Sequence, residues 1–258
     1  AVLANLADYL ESQIALRHKI RSAITYPVLM LSFSMLVVIA LFVFVIPKVV
    51  DMFSQQGLEL PLPTKIMIMI SDFMVGYWWL LPFAIFGGVA LIKWYYAQER
   101  GRQVIDRFIL RLPLFGSLYL KVCTARVALT LSALLGSGVQ LLNALDITKR
   151  IMANVHLESA LQSAREGVQE GKSLAKELKS SELFPSMLCH MIAVGEKSGS
   201  LENMLSKAGH AYENDVNSTV EGLTSILEPI LMILVGMVVF AVVISVLLPM
   251  AELVDQLQ

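Results

Sequence analysis

The chain has 258 residues, of which 56% are hydrophobic and 16% are charged, and its formal net charge is −1. Soluble proteins are roughly 45–50% apolar and about 25% charged, so this composition predicts a membrane protein. A net charge near zero provides no broad basic surface, so nucleic-acid binding is not expected.

The first apolar segment predicts a transmembrane helix. Residues 1–23 have the apolar spacing of one helix face and are expected to end a first cytoplasmic helical domain. Residues 24–47 contain no charged residue, and about 20 apolar residues suffice to cross the hydrocarbon core. Residues 48–72, which include Pro61 and Pro63, are expected to form a loop.

Two further spans are predicted. The second has aromatic clusters at its two ends, at residues 77–79 and 94–96, as membrane helices often have at the interface with water. The third follows a long helical segment and carries no charge after Pro229 until Glu252. The predicted order is transmembrane helix 1 at 24–47, helix 2 at 73–93, a cytoplasmic helical bundle at 94–223, helix 3 at 224–249 and a tail at 250–258.

Positive charge predicts the orientation. Of the 20 Lys and Arg residues, all but Lys48 and Lys65 lie before the first span or between the second and third. The excess of positive charge on cytoplasmic segments then predicts a cytoplasmic N-terminus and bundle, with a periplasmic loop at 48–72 and a periplasmic C-terminus.

The bundle segment has helical periodicity throughout, with glycine and proline between the helices. The last helix shows no breaker before Pro229, so we expect it to continue into the third span. The predicted helices cover residues 100–112, 117–135, 139–152, 155–170, 173–180, 185–195 and 200–228.

An internal repeat relates the first and third spans. A shift of 202 positions places Pro27 on Pro229 and Pro47 on Pro249, together with matching apolar positions. We interpret this as a duplicated unit. Residue 1 then aligns with residue 203, so the first bundle is expected to be mostly missing from a chain that is part of a longer protein.

The repeated prolines Pro27 and Pro229 are candidate hinges, since a proline removes one helical hydrogen bond near the cytoplasmic entry of each span. Membrane helices also tolerate proline without any mechanical role, and the sequence favours neither interpretation.

No catalytic, cofactor-binding or metal-binding residue is predicted. Residues 167–173 resemble a phosphate loop but are one residue short, so a helix C-cap at Gly171 and an N-cap at Ser173 are the better interpretation. The uncharged parts of the spans lack ionisable residues, which disfavours transport by this chain alone. An oligomeric transporter lined by hydroxyl and backbone groups stays open as an alternative.

Several motifs together resemble the general secretion pathway protein F family, the inner-membrane platform proteins of type II secretion, and the related proteins of type IV pilus assembly. The most specific are Phe184-Pro185 and Gly195-Glu196-Lys197-Ser198-Gly199-Ser200-Leu201, with Glu228-Pro229 and Leu248-Pro249 in the third span. The segments 45–50, 60–61 and 71–73 look more like the secretion branch than the pilus branch.

The resemblance implies an all-α membrane protein with three transmembrane helices and a six-helix-type cytoplasmic bundle. It also implies a non-enzymatic platform in the bacterial inner membrane, as a homo-oligomer, that couples a cytoplasmic secretion ATPase to the assembly of pilin-like subunits. Other inner-membrane secretion components and membrane lipids are further expected partners. A type IV pilus platform is the alternative.

Four residues of the glycine-bracketed motif are candidate partner contacts: Gly195, Glu196, Ser198 and Gly199. Tight helix–helix turn geometry explains the same residues at least as well.

Overall fold

The computed structural model describes residues 22, 25–45, 47, 62–77 and 80–256. The regular structure within these ranges is helical, and they contain no β-strand. This confirms the predicted all-α class.

The described residues divide into two compact units. One is formed by Lys93–Glu221, the segment between the predicted second and third spans. The other is formed by Ser22–Ile92 together with Gly222–Gln258. We call the first the bundle unit and the second the apolar unit.

The apolar unit begins with helix α1 over residues 25–40, which continues as a π-helical turn at Leu41–Val45. Helices α2 (Leu62–Tyr77) and α3 (Leu80–Tyr96) follow. The last helix of the chain, α10 (Leu201–Gln256), contributes its second half. Many large apolar side chains of these helices are exposed, with Phe86 exposed to 80%. Such a surface is unfavourable in water and is typical of contact with lipid.

Three helices among the described residues are long and apolar enough to cross a membrane, judged by length and composition. They are Thr25–Phe44, Phe115–Gly136 and Leu201–Ile244. The middle one lies in the bundle unit, where Val127 and Leu131 are fully buried, so core packing accounts for its apolar composition. The predicted second span at 73–93 overlaps α3, whose 17 residues are near the lower limit for crossing, and it stays a prediction.

Residues 62–72, which the sequence analysis assigned to a loop, form the first part of α2. Pro63 is the second residue of this helix. A proline in the first turn of a helix loses no internal hydrogen bond, because the first four N–H groups have no partner within the helix. The proline that suggested a break therefore stands where the helix begins.

Within the described residues, the bundle unit contains the end of α3, from Lys93 to Tyr96, and seven further helical segments. They are α4 (Glu99–Arg111), α5 (Phe115–Gly136), α6 (Leu141–Arg150), α7 (Val155–Gln169), α8 (Leu174–Ser180), α9 (Ser186–Ser198) and the first part of α10. Packed neighbours along the chain include α6 with α7, α7 with α8, and α8 with α9. The helix bounds agree with those predicted from periodicity to within three residues, except that α10 continues to Gln256.

The bundle core is made of apolar residues that recur at helical spacing in the predicted helices. Leu157, Leu161 and Ala164 of α7 are fully buried, as are Leu205 and Val216 of α10. Burying a leucine side chain contributes about 1.5–3 kcal/mol to folding. The hydrophobic periodicity of these helices is therefore the main determinant of how they pack.

A buried carboxylate fixes the start of the bundle. Asp106 of α4 is 2% exposed, and its side chain accepts hydrogen bonds from the Tyr96 hydroxyl (3.2 Å) and the Val155 N–H (2.8 Å). The side chain of Asn154 donates to the backbone oxygen of Asp106 at 3.1 Å and also accepts from the first N–H groups of α7. The end of α3, the middle of α4 and the start of α7 are thus tied together.

Helix α10 runs without interruption from Leu201 to Gln256 and passes through Pro229. The expectation that the last bundle helix continues into the third apolar segment is confirmed. The boundary between the two units falls inside this helix, between Glu221 and Gly222.

Gly101→Ala is expected to destabilise the protein. A Cβ at this position would overlap the backbone oxygen of Tyr95, and overpacking of this kind costs about 1–3 kcal/mol. The control is Gly222→Ala in α10, where a Cβ has open space and alanine favours the helix by about 1 kcal/mol. In thermal unfolding followed by circular dichroism in detergent, the first variant should melt several degrees lower and the second should not. Equal melting temperatures would contradict the close approach at Gly101.

Candidate partner-contact site

The four predicted contact residues lie where α9 turns into α10. Gly199 has a φ of 70°, the left-handed conformation that glycine adopts at the C-terminal end of helices. The backbone oxygen of Gly195 accepts from the N–H groups of Gly199 and Ser200, which closes the last turn of α9. The tight-turn interpretation is thereby confirmed for Gly199.

Gly195 is buried against the start of α10. A Cβ at Gly195 would lie 2.8 Å from the Cα of Leu201 and 3.2 Å from the Cβ of Met204. Only glycine leaves room for this approach, so Gly195 sets the distance between the two helices.

Glu196 is bound within the chain. Its carboxylate accepts from the hydroxyl of Ser173 and from the N–H of Leu174, both at 2.6 Å. These groups form the N-terminal end of α8, where unpaired N–H groups favour a negative charge. Glu196 therefore joins α9 to the start of α8.

Ser173 is the N-cap of α8, as predicted, and Gly171 has a φ of 86° directly after the C-cap of α7. The segment that resembled a phosphate loop is therefore a cap pair between two helices. Among the described residues, no three His, Cys, Asp or Glu side chains are grouped so that they could hold a metal ion.

Two of the four candidates, Glu196 and Ser198, carry a polar side chain, and Ser198 is the more accessible of the two. It is exposed, and its hydroxyl lies 2.6 Å from that of Ser200. Lys197 beside it is exposed as well. Ser198 and Lys197 are thus available to a partner, whereas Gly195 is buried and Glu196 is occupied by α8.

A groove of about 990 Å³ runs between α8 and α9 next to this turn. Its lining includes the basic side chains Lys172, Lys176, Lys179, His190 and Lys197. A hydrogen bond to Glu170 and the negative charge of that carboxylate raise the pKa of Lys172, so the Lys172 side chain stays protonated. Burial raises the pKa of the Cys189 thiol, which also lines the groove. Four lysines and one carboxylate, that of Glu196, line the groove, so it is a basic surface suited to acidic groups.

The motifs singled out in the sequence do not include Lys176 or Lys179. A usable signal exists for these two, because they are three residues apart within α8, which places them on one side of the helix. The contribution of Lys197 depends on how α9 packs on α8, and no local pattern indicates it.

The candidate hinge residues lie near a second groove, of about 310 Å³, between α1 and α10 in the apolar unit. Pro27 is buried and lines this groove, whereas Pro229 is exposed. Proline has no N–H, so Pro229 leaves the backbone oxygen of Ser225 without the usual helical donor. This is a local weakness in α10, seven residues beyond the boundary between the two units.

The groove between α1 and α10 brings equivalent residues of the repeat together. The Tyr26 hydroxyl donates to the Glu228 carboxylate at 3.4 Å, and these two positions are 202 residues apart, the shift of the repeat. Met30 and Met232, which are related by the same shift, both line the groove. The two related helices therefore lie side by side, parallel and at the same height.

The family model described as "Type II secretion system (T2SS), protein F" matches residues 1–47 and 127–249. The chain belongs to the type II secretion system protein F family. The two matched stretches end 202 positions apart, which agrees with the repeat found in the sequence.

The chain is similar to type IV pilus assembly proteins and to type II secretion system proteins. The type IV pilus assembly protein PilC of Thermus thermophilus is 39% identical over 260 residues, covering 99% of this chain and 63% of that protein. The type II secretion system protein F is 37% identical in Pseudomonas aeruginosa and 35% in Vibrio cholerae, each match covering 98% of this chain and 62% of the relative. The chain thus spans about three fifths of the length of these relatives.

Glu196→Ala is expected to loosen the start of α8. Hydrogen bonds to charged groups contribute about 1.5–3 kcal/mol, and about 1.4 kcal/mol corresponds to a tenfold change in an equilibrium. Hydrogen exchange at the Leu174 amide should therefore become at least about tenfold faster. Glu196→Gln should have a smaller effect, because its amide can still accept from Leu174 and donate to Ser173. The neighbouring exposed substitution Lys197→Ala is the control, and equal exchange in the two alanine variants would contradict the capping role.

Proposed function

We propose that this chain forms part of a non-enzymatic platform in the bacterial inner membrane. In this proposal it couples a cytoplasmic ATPase to the assembly of pilin-like subunits during type II secretion. Membership of the protein F family and the long apolar helices support it. Assembly as a homo-oligomer, and contact with other inner-membrane secretion components, belong to the same proposal.

Pilus assembly is the second candidate. Relatives named for type IV pilus assembly and for type II secretion have similar identities to this chain, at 39% and 37%. The two systems would use the same platform architecture with different fibres, so the proposed mechanism below applies to both. An oligomeric transporter subunit is a third and weaker candidate, and it predicts solute flux in proteoliposomes.

The proposed mechanical element is α10. A continuous helix can transmit a displacement of the bundle along its axis, because its backbone hydrogen bonds keep its length fixed. In our proposal the bundle receives the motion of the ATPase, and α10 passes that motion to the third span. Pro27 and Pro229 act as the points at which the related helices bend.

The proposed partner surface is the α9–α10 turn together with the basic groove beside it. The support is that Lys197 is exposed and lines the groove and that Ser198 is exposed next to it in the chain, while Gly195 and Glu196 hold the turn in a fixed shape. A fixed surface loses less conformational entropy on binding than a mobile loop does. Gly195 and Glu196 thus act in binding through the shape that they impose.

In-cell photo-crosslinking from Ser198 tests the partner surface. A photoreactive residue at position 198 of the full-length protein should capture a secretion-type or pilus-type ATPase, or another platform component, while the machine is active. The matched control is the same residue at Ser163, an exposed serine in α7 that is not part of the α9–α10 turn.

Capture from position 198 and not from position 163 would support the surface. Capture of lipid alone, or of a solute-transport partner, from position 198 would contradict it. Ser198→Trp should also reduce secretion and ATPase association, because the bulky side chain would obstruct the partner. Ser198 is exposed, so the substitution should leave the fold of the turn intact.

Pro229→Ala tests the hinge. The new N–H can donate to the Ser225 oxygen, and a proline inside a helix costs about 3 kcal/mol, so amide exchange around residue 229 should slow by at least about tenfold. If bending here is needed, secretion or pilus assembly should fall while the protein level stays the same.

Gly236→Ala is the control for this test, because it lies in the same helix, has open space for a Cβ and adds no hydrogen bond. Normal assembly activity in Pro229→Ala, together with slower exchange, would show that bending at this residue is not required.

A further inference from the structure

Helix α4 has one face bound to the bundle and one face that the bundle does not use. The bound face contains Gly101 and Asp106, which are buried, and Arg102, whose guanidinium lies 4.0 Å from Asp106 and 3.9 Å from Glu158. These contacts fix the rotation of α4 about its axis, and so they also fix which residues point outward.

The opposite face combines positive charge with apolar side chains. It consists of Arg100, Val104, Arg107, Phe108 and Arg111, at the helical spacing that places residues on one side. All five are exposed, Val104 to 56% and Phe108 to 62%. None of the three arginines forms an ion pair with any residue that the structure describes. We call this set the outer face of α4.

Two more large apolar side chains are exposed shortly after α4 in the chain. Leu114 and Phe115 are both exposed, and Leu114 has a φ of 67°, which is uncommon for a residue other than glycine. Together with Val104 and Phe108, they make the exposed surface around α4 partly apolar.

We propose that the outer face of α4 rests on the headgroup region of an anionic phospholipid membrane. A basic helix with apolar residues on the same side is favourable there, because the arginines meet lipid phosphates and the apolar side chains reach the acyl boundary. An acidic protein surface would pair with the arginines but would leave Phe108 against polar groups.

The position of α4 in the chain supports lipid as the partner. Two residues, Ala97 and Gln98, separate α4 from α3, whose exposed side chains before Lys93 are apolar and whose last residues are Trp94, Tyr95 and Tyr96. Aromatic residues of this kind mark the membrane interface. The hydrogen bond from the Tyr96 hydroxyl to Asp106 ties the end of α3 directly to α4. The inference rests on the proposed second span at 73–93.

Spin-label accessibility in the whole protein tests the inference. Nitroxides are attached at Phe108→Cys, at Phe86→Cys in the proposed span and at Ser163→Cys on the bundle, in nanodiscs containing phosphatidylglycerol or phosphatidylcholine alone. Collision with oxygen reports lipid, and collision with a water-soluble nickel chelate reports solvent. The native thiols Cys123 and Cys189 are buried and should label slowly.

We expect the label at 108 to favour oxygen in phosphatidylglycerol, as the label at 86 does, while the label at 163 favours nickel. Replacing Arg100, Arg107 and Arg111 together by glutamine should raise nickel accessibility at 108 severalfold. The control replaces three lysines of the groove together, Lys176→Gln, Lys179→Gln and Lys197→Gln, which removes the same amount of positive charge. Nickel accessibility at 108 should not change in this control.

Two results would overturn the inference while leaving the span intact. One is a label at 108 that behaves like the label at 163 while the label at 86 is in lipid. The other is a lipid-like label at 108 that depends neither on anionic lipid nor on the three arginines. A label at 86 that favours nickel would instead overturn the second span, and the inference with it.

Discussion

The buried carboxylate of Asp106 is the interaction on which the start of the bundle depends. A buried charge is costly unless hydrogen bonds replace the water that it has lost. Here the donors are the hydroxyl of Tyr96 and the N–H of Val155, and Asn154 binds the backbone of the same residue. Because Asp106 and its partners lie in three separate parts of the chain, these hydrogen bonds together fix the end of α3, the rotation of α4 and the beginning of α7.

Both described boundaries between the two units fall inside helices, between Ile92 and Lys93 in α3 and between Glu221 and Gly222 in α10. Within the bundle unit, α3 then passes into α4 through two residues whose N–H groups donate to backbone oxygens of α3, that of Ala97 to Lys93 and that of Gln98 to Tyr95. Pro229, which removes one helical hydrogen bond, lies in the helix that contains the second boundary.

Local sequence patterns predicted most of the fold. The stripe with Leu157 and Leu161, the N-cap at Ser173 and the turn at Gly199 all follow from periodicity or from the conformational preference of one residue. The helical start at residue 62 was missed because Pro63 looks the same whether it ends a loop or opens a helix. Proline is compatible with both positions, so the residue type alone does not decide between them.

The candidate site was harder to predict, because its chemistry joins distant residues. Glu196 finds its partners at Ser173 and Leu174, more than 20 positions earlier, and Asp106 finds Val155 49 positions later. A motif can therefore mark Glu196 as important without revealing that its carboxylate serves a neighbouring helix. The partner-contact hypothesis and the turn-geometry interpretation concern the same residues, and the two are compatible.

The pairing of Tyr26 with Glu228 has a consequence for how a duplicated protein can diverge. If one repeat unit paired in parallel with an identical copy of itself, the position of Tyr26 and Glu228 would hold the same residue in both copies. The pair would then be either two carboxylates, which repel each other, or two tyrosine hydroxyls. Joining both units in one polypeptide removes that restriction, because each copy can be altered independently. A hydroxyl on one helix and a carboxylate on its counterpart form a directional pair that no symmetric association of a single repeat could contain.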